Sequence, residues 1–342
     1  MQTEKRKKIL RATFLAIASL ILVIGIFFVC INFPVKNVET PVPLGVTFSA
    51  RYAEDIETDW RQSYVAMLDD LKVRDIRIPV YWDLVEKEQE KYDFSDIDWQ
   101  MDQAAARGAR VVLVIGQKVP RWPECFIPEW AKNDDAIRRK SLLSFEQIVV
   151  ERYRDHSALS RWQVENEPFL DFGVCPKFEV DFLDSELSVV RSSDGAHPVM
   201  LTDSGELSVW VHAAKRADIF GTTMYRTVYS AKHGFIRYPI GPNFFKFKKW
   251  VSEIFADQSN VVVIELQGEP WIDGWTVSQP LEKQLGSMNA EILRSNVQFA
   301  KNTGLSEIYI WGVEWWYWLK EKQNNSTVWN EAKKLFEENR LQ

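Results

Sequence analysis

Two short segments of the chain carry glutamates in settings typical of strand ends. One is the run WQVENEP, which contains Asn166 and Glu167, and the other is IELQGEP, which contains Glu265 and Glu269. Cleavage of a glycosidic bond needs two carboxyl groups, one to protonate the departing oxygen and one to attack or to activate water. A single glutamate at a strand end is more often a salt-bridged surface residue. Two such segments together indicate a candidate acid/base pair.

Three further residues lie where they can support such a pair. Arg77 lies inside the apolar run IRIP, and a buried arginine needs an anionic partner such as a carboxylate inside a barrel. The alternative is an outward-facing Arg77 beneath a helix. Tyr225 follows a predicted strand and can hydrogen-bond a carboxylate, while Trp311 ends another and can stack on a sugar. Plain packing is the alternative for both aromatic residues.

Other chemistries have little support in the sequence. The four histidines, at positions 156, 197, 212 and 233, form no cluster with metal-ligand spacing, and no Gly-x-Ser-x-Gly motif is present. We therefore expect no metal and no organic cofactor. The net charge is −6 and no basic block lies beyond the N-terminal segment, which argues against a nucleic-acid partner. The 15 tryptophans suit a ligand with flat apolar faces, such as a pyranose.

The elements that must position these residues alternate along the chain. Eight short apolar runs are predicted strands: Leu44–Phe48, Asp75–Val80, Arg110–Ile115, Arg161–Glu165, Pro198–Thr202, Asp218–Thr222, Val261–Glu265 and Glu307–Trp311. Helical patterns lie between them. Eight strand–helix units in about 300 residues favour an α/β protein of the (β/α)₈ TIM-barrel class, whose chemistry lies at the C-terminal ends of the strands.

Several of the intervening helices can be bounded from the sequence. We expect one to start after Thr58 as N-cap, one to open with a capping box formed by Ser95 and Asp98, and two more over Ser144–Tyr153 and Leu281–Ala300.

The N-terminal segment has the features of a membrane anchor. A basic tail, residues 1–12, precedes an apolar stretch over residues 13–33, which is long enough to span a bilayer as one helix. Its positive charge predicts a cytoplasmic N-terminus and an extracytoplasmic catalytic domain. Residues 34–43 contain three prolines and are predicted to form a linker, and residues 44–342 the barrel. A cleaved signal peptide is the alternative, although no small-x-small cleavage site closes the apolar stretch.

The chain resembles the clan of retaining β-glycosidases that includes cellulases, β-mannanases and β-galactosidases. Three passages carry the resemblance. The first is RIPVYW, which runs from Arg77 to Trp82 and is followed by Glu86 and the run YDFS. The second is the Asn166-Glu167 pair, and the third is Glu265 at the end of the seventh predicted strand. Trp311 also fits the tryptophan of the clan's eighth strand.

The resemblance implies roles for individual residues. Glu167 is expected to be the acid/base, protonated because burial and the nearby Glu265 raise its pKa, and Glu265 the nucleophile. In a retaining enzyme the two carboxyl groups are about 5–5.5 Å apart, and we expect that distance between Glu167 and Glu265. Glu269 is the alternative candidate for the nucleophile. The resemblance implies that Asn166 contacts the sugar 2-hydroxyl, that Arg77 and Tyr225 orient Glu265, and that Trp311 stacks on the sugar. Trp82 is also expected to bind substrate.

The expected function is hydrolysis of a β-linked oligo- or polysaccharide outside the cell membrane. A transglycosylase with the same residues is one alternative, and a membrane-anchored barrel that binds glycan without turnover is another. Cys125 and Cys175 follow the third and fourth predicted strands, whose loops emerge side by side, so they can form a disulfide. Two free thiols are the alternative.

Overall fold

The computed structural model describes residues 2–340 and consists of a closed barrel with one apolar helix at its N-terminal end. The ten strands are β1 (Leu44–Thr47), β2 (Asp75–Pro79), β3 (Arg110–Ile115), β4 (Leu159–Val164), β5 (Val199–Asp203), β6 (Ile219–Met224), β7 (Thr227–Ser230), β8 (Gly234–Arg237), β9 (Val261–Gln267) and β10 (Ile308–Trp311). Eight of them pair in parallel around the barrel in the order β1-β10-β9-β6-β5-β4-β3-β2. The predicted (β/α)₈ TIM barrel and all eight predicted strands are therefore confirmed.

The helices surround the barrel. They are α1 (Gln2–Ile31), α2 (Ala50–Asp55), α3 (Trp60–Asp69), α4 (Trp82–Val85), α5 (Ser95–Ala105), α6 (Asp135–Tyr153), α7 (Val180–Ser193), α8 (Val211–Ala214), α9 (Pro242–Ala256), α10 (Leu281–Ser287), α11 (Ala290–Asn302), α12 (Val313–Lys322) and α13 (Thr327–Glu338). The strands are buried on both faces, with helices on the outside and a small apolar cluster inside, which explains their unbroken apolar runs.

Three predictions of local structure were wrong. The N-cap of α3 is Asp59, whose carboxylate accepts from two backbone amides, because Thr58 instead donates to a carbonyl of the preceding helix. Helix α5 begins without a capping box, since Asp98 accepts from Arg152 instead. The predicted helix over residues 281–300 is two helices, and Asn289 caps the second of them.

One hairpin was not predicted. Strands β7 and β8 form an antiparallel pair directly after β6, and their short length gives too little alternation to distinguish them from a loop. The hairpin lies above the C-terminal end of the barrel, where it adds a wall to the cavity described below.

The segment predicted as a linker lies against the barrel. Residues 34–43 form no helix or strand, and they are held by hydrogen bonds to Asn302 of α11 and to Asn339, the residue after α13. The Val38 amide donates to Asn302, and Gln298 donates to the Val38 carbonyl, at 3.0 and 3.2 Å. The end of α1 is thereby kept close to the barrel wall.

Helix α1 is long and apolar enough to cross a bilayer over Glu4–Ile31, a property that no other helix within residues 2–340 shares. Over residues 4–7 and 9–30 its side chains are exposed, and its last residue, Ile31, is buried. Length and composition are the evidence for a span, and the same features occur in signal sequences.

A disulfide joins the loops that follow β3 and β4. Cys125 and Cys175 are bonded, with Cα atoms 5.2 Å apart and a sequence separation of 50. The paired state was therefore the correct one of the two alternatives. The bond ties together two loops at the C-terminal end of the barrel.

Removing this disulfide is expected to destabilise the protein. A bond that closes a loop of this length restricts the unfolded chain by up to about 4 kcal/mol. We predict that Cys125→Ser/Cys175→Ser lowers the free energy of unfolding by about 2–4 kcal/mol in denaturant titrations. Wild type under reducing conditions serves as the control and should match the variant. Equal stability of oxidised wild type and the variant would contradict the prediction.

Candidate active site

A buried arginine connects three strands of the barrel. Arg77 of β2 has no exposed surface, and its Nη1 donates to Glu265 Oε1 of β9 at 2.6 Å. Its Nε donates to Gln163 Oε1 of β4 at 2.8 Å, and its Nη2 to Asn166 Oδ1 just beyond β4 at 2.6 Å. The expected contact between Arg77 and Glu265 is confirmed, and an outward-facing Arg77 is excluded.

A bulge in β9 brings Glu265 to this arginine. Thr222 of β6 lies opposite Val263, and the next residue, Thr223, lies opposite Glu265, so β9 has one extra residue at this point. Such bulges re-aim side chains next to functional sites. Here the extra residue is Ile264, which packs in the apolar cluster inside the barrel. A bulky residue is thus accommodated directly before Glu265.

The second oxygen of Glu265 is held from the loop after β6. Tyr225 Oη donates to Glu265 Oε2 at 3.0 Å. Burial, and then the negative charge of Glu265, raise the pKa of Tyr225 well above its usual value, so the phenol keeps its proton. Both oxygens of Glu265 therefore accept hydrogen bonds, one from a cation and one from a phenol, and the carboxylate is fixed in position.

Glu167 lies just after β4 in a different environment. Its Oε1 accepts from Thr223 Oγ1 at 3.0 Å, and its backbone amide donates to Thr202 Oγ1 at 2.9 Å. The pKa of Glu167 is raised well above its usual value, foremost by burial and then by the negative charges of Glu265 and Glu124. A carboxyl group in this setting retains its proton at a higher pH than a solvated one, as a general acid must.

Both carboxyl groups open into one cavity of about 390 Å³, to which Glu167 and Glu265 contribute. This volume lies within the range of sites that bind small molecules, roughly 300–1,000 Å³. Aromatic side chains form much of its wall, among them Tyr52, Trp122, Tyr225, Trp271, Trp275 and Trp311. Flat apolar surfaces beside a few polar groups are suited to the faces of a sugar ring.

The predicted substrate-binding residues separate into three groups. Tyr225 and Trp311 line the cavity. Arg77 and Asn166 lie beneath it and contact its carboxylates rather than its open space. Trp82 does not belong to the cavity, because it is fully buried between the barrel and α6, where it stacks on Phe145. We therefore correct its assignment to core packing.

A second buried arginine was missed. Arg121, in the loop after β3, pairs with Glu269 at 2.5 Å and with Glu314 at 2.8 Å. Its guanidinium lies over the ring of Tyr52 at 3.7 Å and over that of Trp311 at 4.1 Å. Glu269 Oε1 also accepts from Trp311 Nε1 at 2.7 Å. Glu269 is thus paired with Arg121 and not with Arg77. The same carboxylate holds the indole of Trp311 in place.

Glu124 is a further carboxyl group at the cavity, and it was not predicted as a site residue. Its Oε2 accepts from Asn166 Nδ2 at 3.1 Å. Burial, followed by the negative charge of Glu265, raises the pKa of Glu124 to about 8. The available signal was its position next to Cys125, in a loop already assigned to the catalytic face.

Comparison with known proteins supports the assignment of the fold. No family model matches the chain. One alignment of 144 residues is 26% identical to a β-galactosidase of an Arthrobacter species, and it covers 36% of this chain but 21% of that protein.

Solved structures resemble the barrel as a whole. A β-galactosidase from the Antarctic haloarchaeon Halorubrum lacusprofundi matches 78% of this chain with a TM-score of 0.54 and 16% identity, over 52% of its own length. The cold-adapted β-galactosidase from Rahnella sp. R3 matches 89% with a TM-score of 0.57 and 12% identity, over 57% of its length. An exo-β-1,4-mannosidase from Opitutaceae bacterium strain TAV5 matches 79%, with a TM-score of 0.54 and 14% identity, over 52% of its length.

These likenesses confirm, at the level of the fold, the resemblance expected from the sequence. This chain shares the closed eight-stranded parallel barrel of these solved structures and spans about half of their length.

Replacing Arg77 is expected to lower the free energy of unfolding. Arg77→Met leaves the buried Glu265 carboxylate without its cation, and breaking a buried pair in this way costs about 3–5 kcal/mol. Arg61→Met is the matched control, because its partner Asp96 is solvent-exposed and such pairs contribute about 0–1 kcal/mol. Chemical denaturation of both variants measures the difference. Equal stabilities would mean that the Arg77–Glu265 pair does not hold the barrel together.

Proposed function

We propose that this chain is a retaining β-glycosidase in which Glu167 is the acid/base and Glu265 the nucleophile. The observation that carries the proposal is the contrast between the two groups in one cavity. Glu265 accepts hydrogen bonds on both oxygens from Arg77 and Tyr225, whereas the pKa of Glu167 is raised. Two carboxyl groups whose environments differ in this way are the mark of an acid and a nucleophile.

In the first half of the reaction Glu265 attacks the anomeric carbon of the sugar. The bond from that carbon to the departing oxygen breaks, and its electron pair stays on the oxygen. Glu167 donates its proton to that oxygen, so the leaving group departs as an alcohol. The product of this step is a glycosyl ester of Glu265 and an ionised Glu167.

In the second half of the reaction Glu167 acts as a base instead of an acid. The ionised Glu167 removes a proton from water as the water oxygen attacks the anomeric carbon. The bond from that carbon to Glu265 breaks, which releases the carboxylate to Arg77 and Tyr225. Two successive inversions leave the product with the configuration of the substrate. A sugar hydroxyl in place of water would give transglycosylation by the same steps.

Glu265 is preferred over Glu269 as the nucleophile because of their partners. Glu269 is bound by Arg121 and by the indole of Trp311. Through these contacts it positions the aromatic wall of the cavity. Glu265 has the charge and the phenol needed to stabilise a departing carboxylate. The role proposed for Glu269 is to position Trp311 against the sugar face.

Asn166 has a different role here from the one implied by the family resemblance. Its amide oxygen accepts from Arg77 and its amide nitrogen donates to Glu124. We therefore assign the direct contact with a sugar hydroxyl to Glu124, which lines the cavity and whose pKa of about 8 keeps it protonated at neutral pH.

The proposed location is the outer face of a cell membrane. Helix α1 would span the bilayer, with the basic residues 5–8 and 11 on the cytoplasmic side and the barrel outside. The disulfide between Cys125 and Cys175 supports this assignment, because such bonds persist in oxidising compartments. The proposed domain division is therefore a tail over residues 1–12, an anchor over 13–33, a linker over 34–43 and the barrel over 44–342.

The assignment of the nucleophile can be tested with paired variants. Glu265→Gln keeps the shape of the side chain but cannot form the glycosyl ester, so turnover of aryl β-glycosides should fall by about 10⁴-fold or more. Glu269→Gln should keep most of the wild-type kcat and raise KM, because its role is to position a binding surface. Steady-state kinetics over a panel of aryl β-glycosides measures both.

Two results would count against the proposal. If Glu265→Gln remains active on the best substrate while Glu269→Gln is inactive, the nucleophile is Glu269. If the wild-type protein binds glycans over a broad panel and turns over none of them, the chain is a glycan-binding barrel.

The acid role of Glu167 predicts a particular pH dependence. Thr223 donates to Glu167 and stabilises its ionised form, so Thr223→Val should raise the Glu167 pKa further. Glu167 then stays protonated to higher pH, and the alkaline limb of kcat/KM should move upward by about one pH unit. The hydroxyl of the neighbouring Thr222 donates to a backbone carbonyl and not to Glu167. Thr222→Val should therefore leave the pH of the alkaline limb unchanged. A downward shift for Thr223→Val would mean that the limb reports another group.

A further inference from the structure

Helix α9 carries an exposed apolar stripe on its outer face. Phe247, Trp250, Ile254 and Phe255 are exposed to 41%, 51%, 54% and 59% of their surface. Their spacing places them on one side of the helix, and the opposite side packs on the barrel through Phe245, Lys248 and Ser252. Large apolar side chains clustered in this way on a surface mark a contact with a protein or a membrane.

The apolar helix α1 meets α9 at the beginning of this stripe. The ring of Phe27 lies edge-on against that of Phe247, with centroids 5.2 Å apart. Asn243 donates to the backbone oxygens of Cys30 and Phe33, at 3.3 and 3.1 Å. Asn32 donates to the Pro239 carbonyl at 3.2 Å. These contacts hold the last turns of α1 at one place on the barrel wall.

The contact with Phe27 fixes the depth of α9 relative to the proposed span. Phe27 lies within the apolar stretch of residues 13–33, six residues before its end, which is about 9 Å along a helix. If α1 crosses the bilayer, Phe247 therefore contacts a part of α1 that lies in the outer half of the hydrocarbon.

The direction of α9 places the rest of the stripe on the lipid side. Asn243 contacts Cys30 and Phe33 at the outer end of the apolar stretch, whereas Phe247 contacts Phe27, which lies deeper. The two helices therefore run in opposite directions at this contact. Helix α1 leaves the bilayer toward its C-terminal end, whereas α9 runs toward the bilayer. Trp250, Ile254 and Phe255 lie beyond Phe247 in this direction.

We propose that the α9 stripe contacts the outer leaflet of the bilayer that α1 spans. Phe247, Trp250, Ile254 and Phe255 present their exposed apolar surface to lipid there. Lys246, which is exposed beside the stripe, can reach lipid phosphates with its ammonium group. The barrel then lies against the membrane through α9, rather than moving freely on a linker. The inference rests on the proposed anchoring by α1.

Lipid exposure of the stripe can be measured on the full-length chain. Cys30 is the one unpaired cysteine among the three in the sequence, so Cys30→Ser/Ile254→Cys gives a single site for a fluorescent label. The labelled protein is reconstituted into vesicles of phosphatidylcholine and phosphatidylglycerol. Nitroxide-bearing lipid and aqueous iodide then serve as the two quenchers.

Asp102 provides the matched control position. It lies exposed on α5, which connects β2 to β3 on the side of the barrel opposite α9. We expect the label at position 254 to lose its fluorescence to nitroxide lipid and to be shielded from iodide. The label in Cys30→Ser/Asp102→Cys should show the reverse. Neither readout needs turnover, so the result does not depend on the glycosidase assignment.

Three outcomes would overturn the proposal. A chain that fails to float with the vesicles would exclude both the anchor and the α9 contact. A chain that floats but exposes position 254 to iodide as fully as position 102 would exclude the α9 contact and leave the anchor in place. A label at position 254 shielded from both quenchers would show that a protein surface, such as a second copy of this chain, covers the stripe.

Discussion

The site depends on one buried ion pair. Arg77 has no access to water, so its charge must be met inside the barrel, and Glu265 meets it at 2.6 Å. The remaining donors of Arg77 bind Gln163 and Asn166 at the end of β4. Because Glu167 directly follows Asn166, the same arginine determines where the segment carrying the proposed acid/base begins. The two proposed catalytic groups are therefore positioned by one residue from a third strand.

Two backbone features complete this arrangement. The bulge in β9 turns Glu265 toward the arginine while Ile264 fills the barrel below. Glu167 itself has a positive φ of 44°, a backbone conformation that is uncommon for a residue with a side chain. Such conformations persist where surrounding contacts enforce them, and here Thr202 and Thr223 bind the backbone and the carboxyl group of Glu167. The backbone is thus locally strained at Glu167, the proposed acid/base.

The sequence predicted the barrel because strands buried on both faces give unbroken apolar runs, and the run over Val261–Glu265 is an example. It also predicted the pairing of Arg77 with a carboxylate, because a buried charge requires a partner. It did not predict Arg121 or Glu124, since both lie in an irregular loop with no periodicity to place them. Trp82 was misassigned because a motif gives the order of residues, whereas burial behind β2 depends on the packing of α6.

The claim that Glu265 is the nucleophile is tested most directly by trapping the glycosyl ester. The full-length protein would be incubated with activated 2-deoxy-2-fluoro-β-glycosides of several sugars, whose fluorine slows the second half of the reaction, and then digested for peptide mass spectrometry. The account predicts one fluorosugar per chain, attached to Glu265. A label on Glu269 or Glu167, or turnover with inversion of configuration and no adduct, would contradict it.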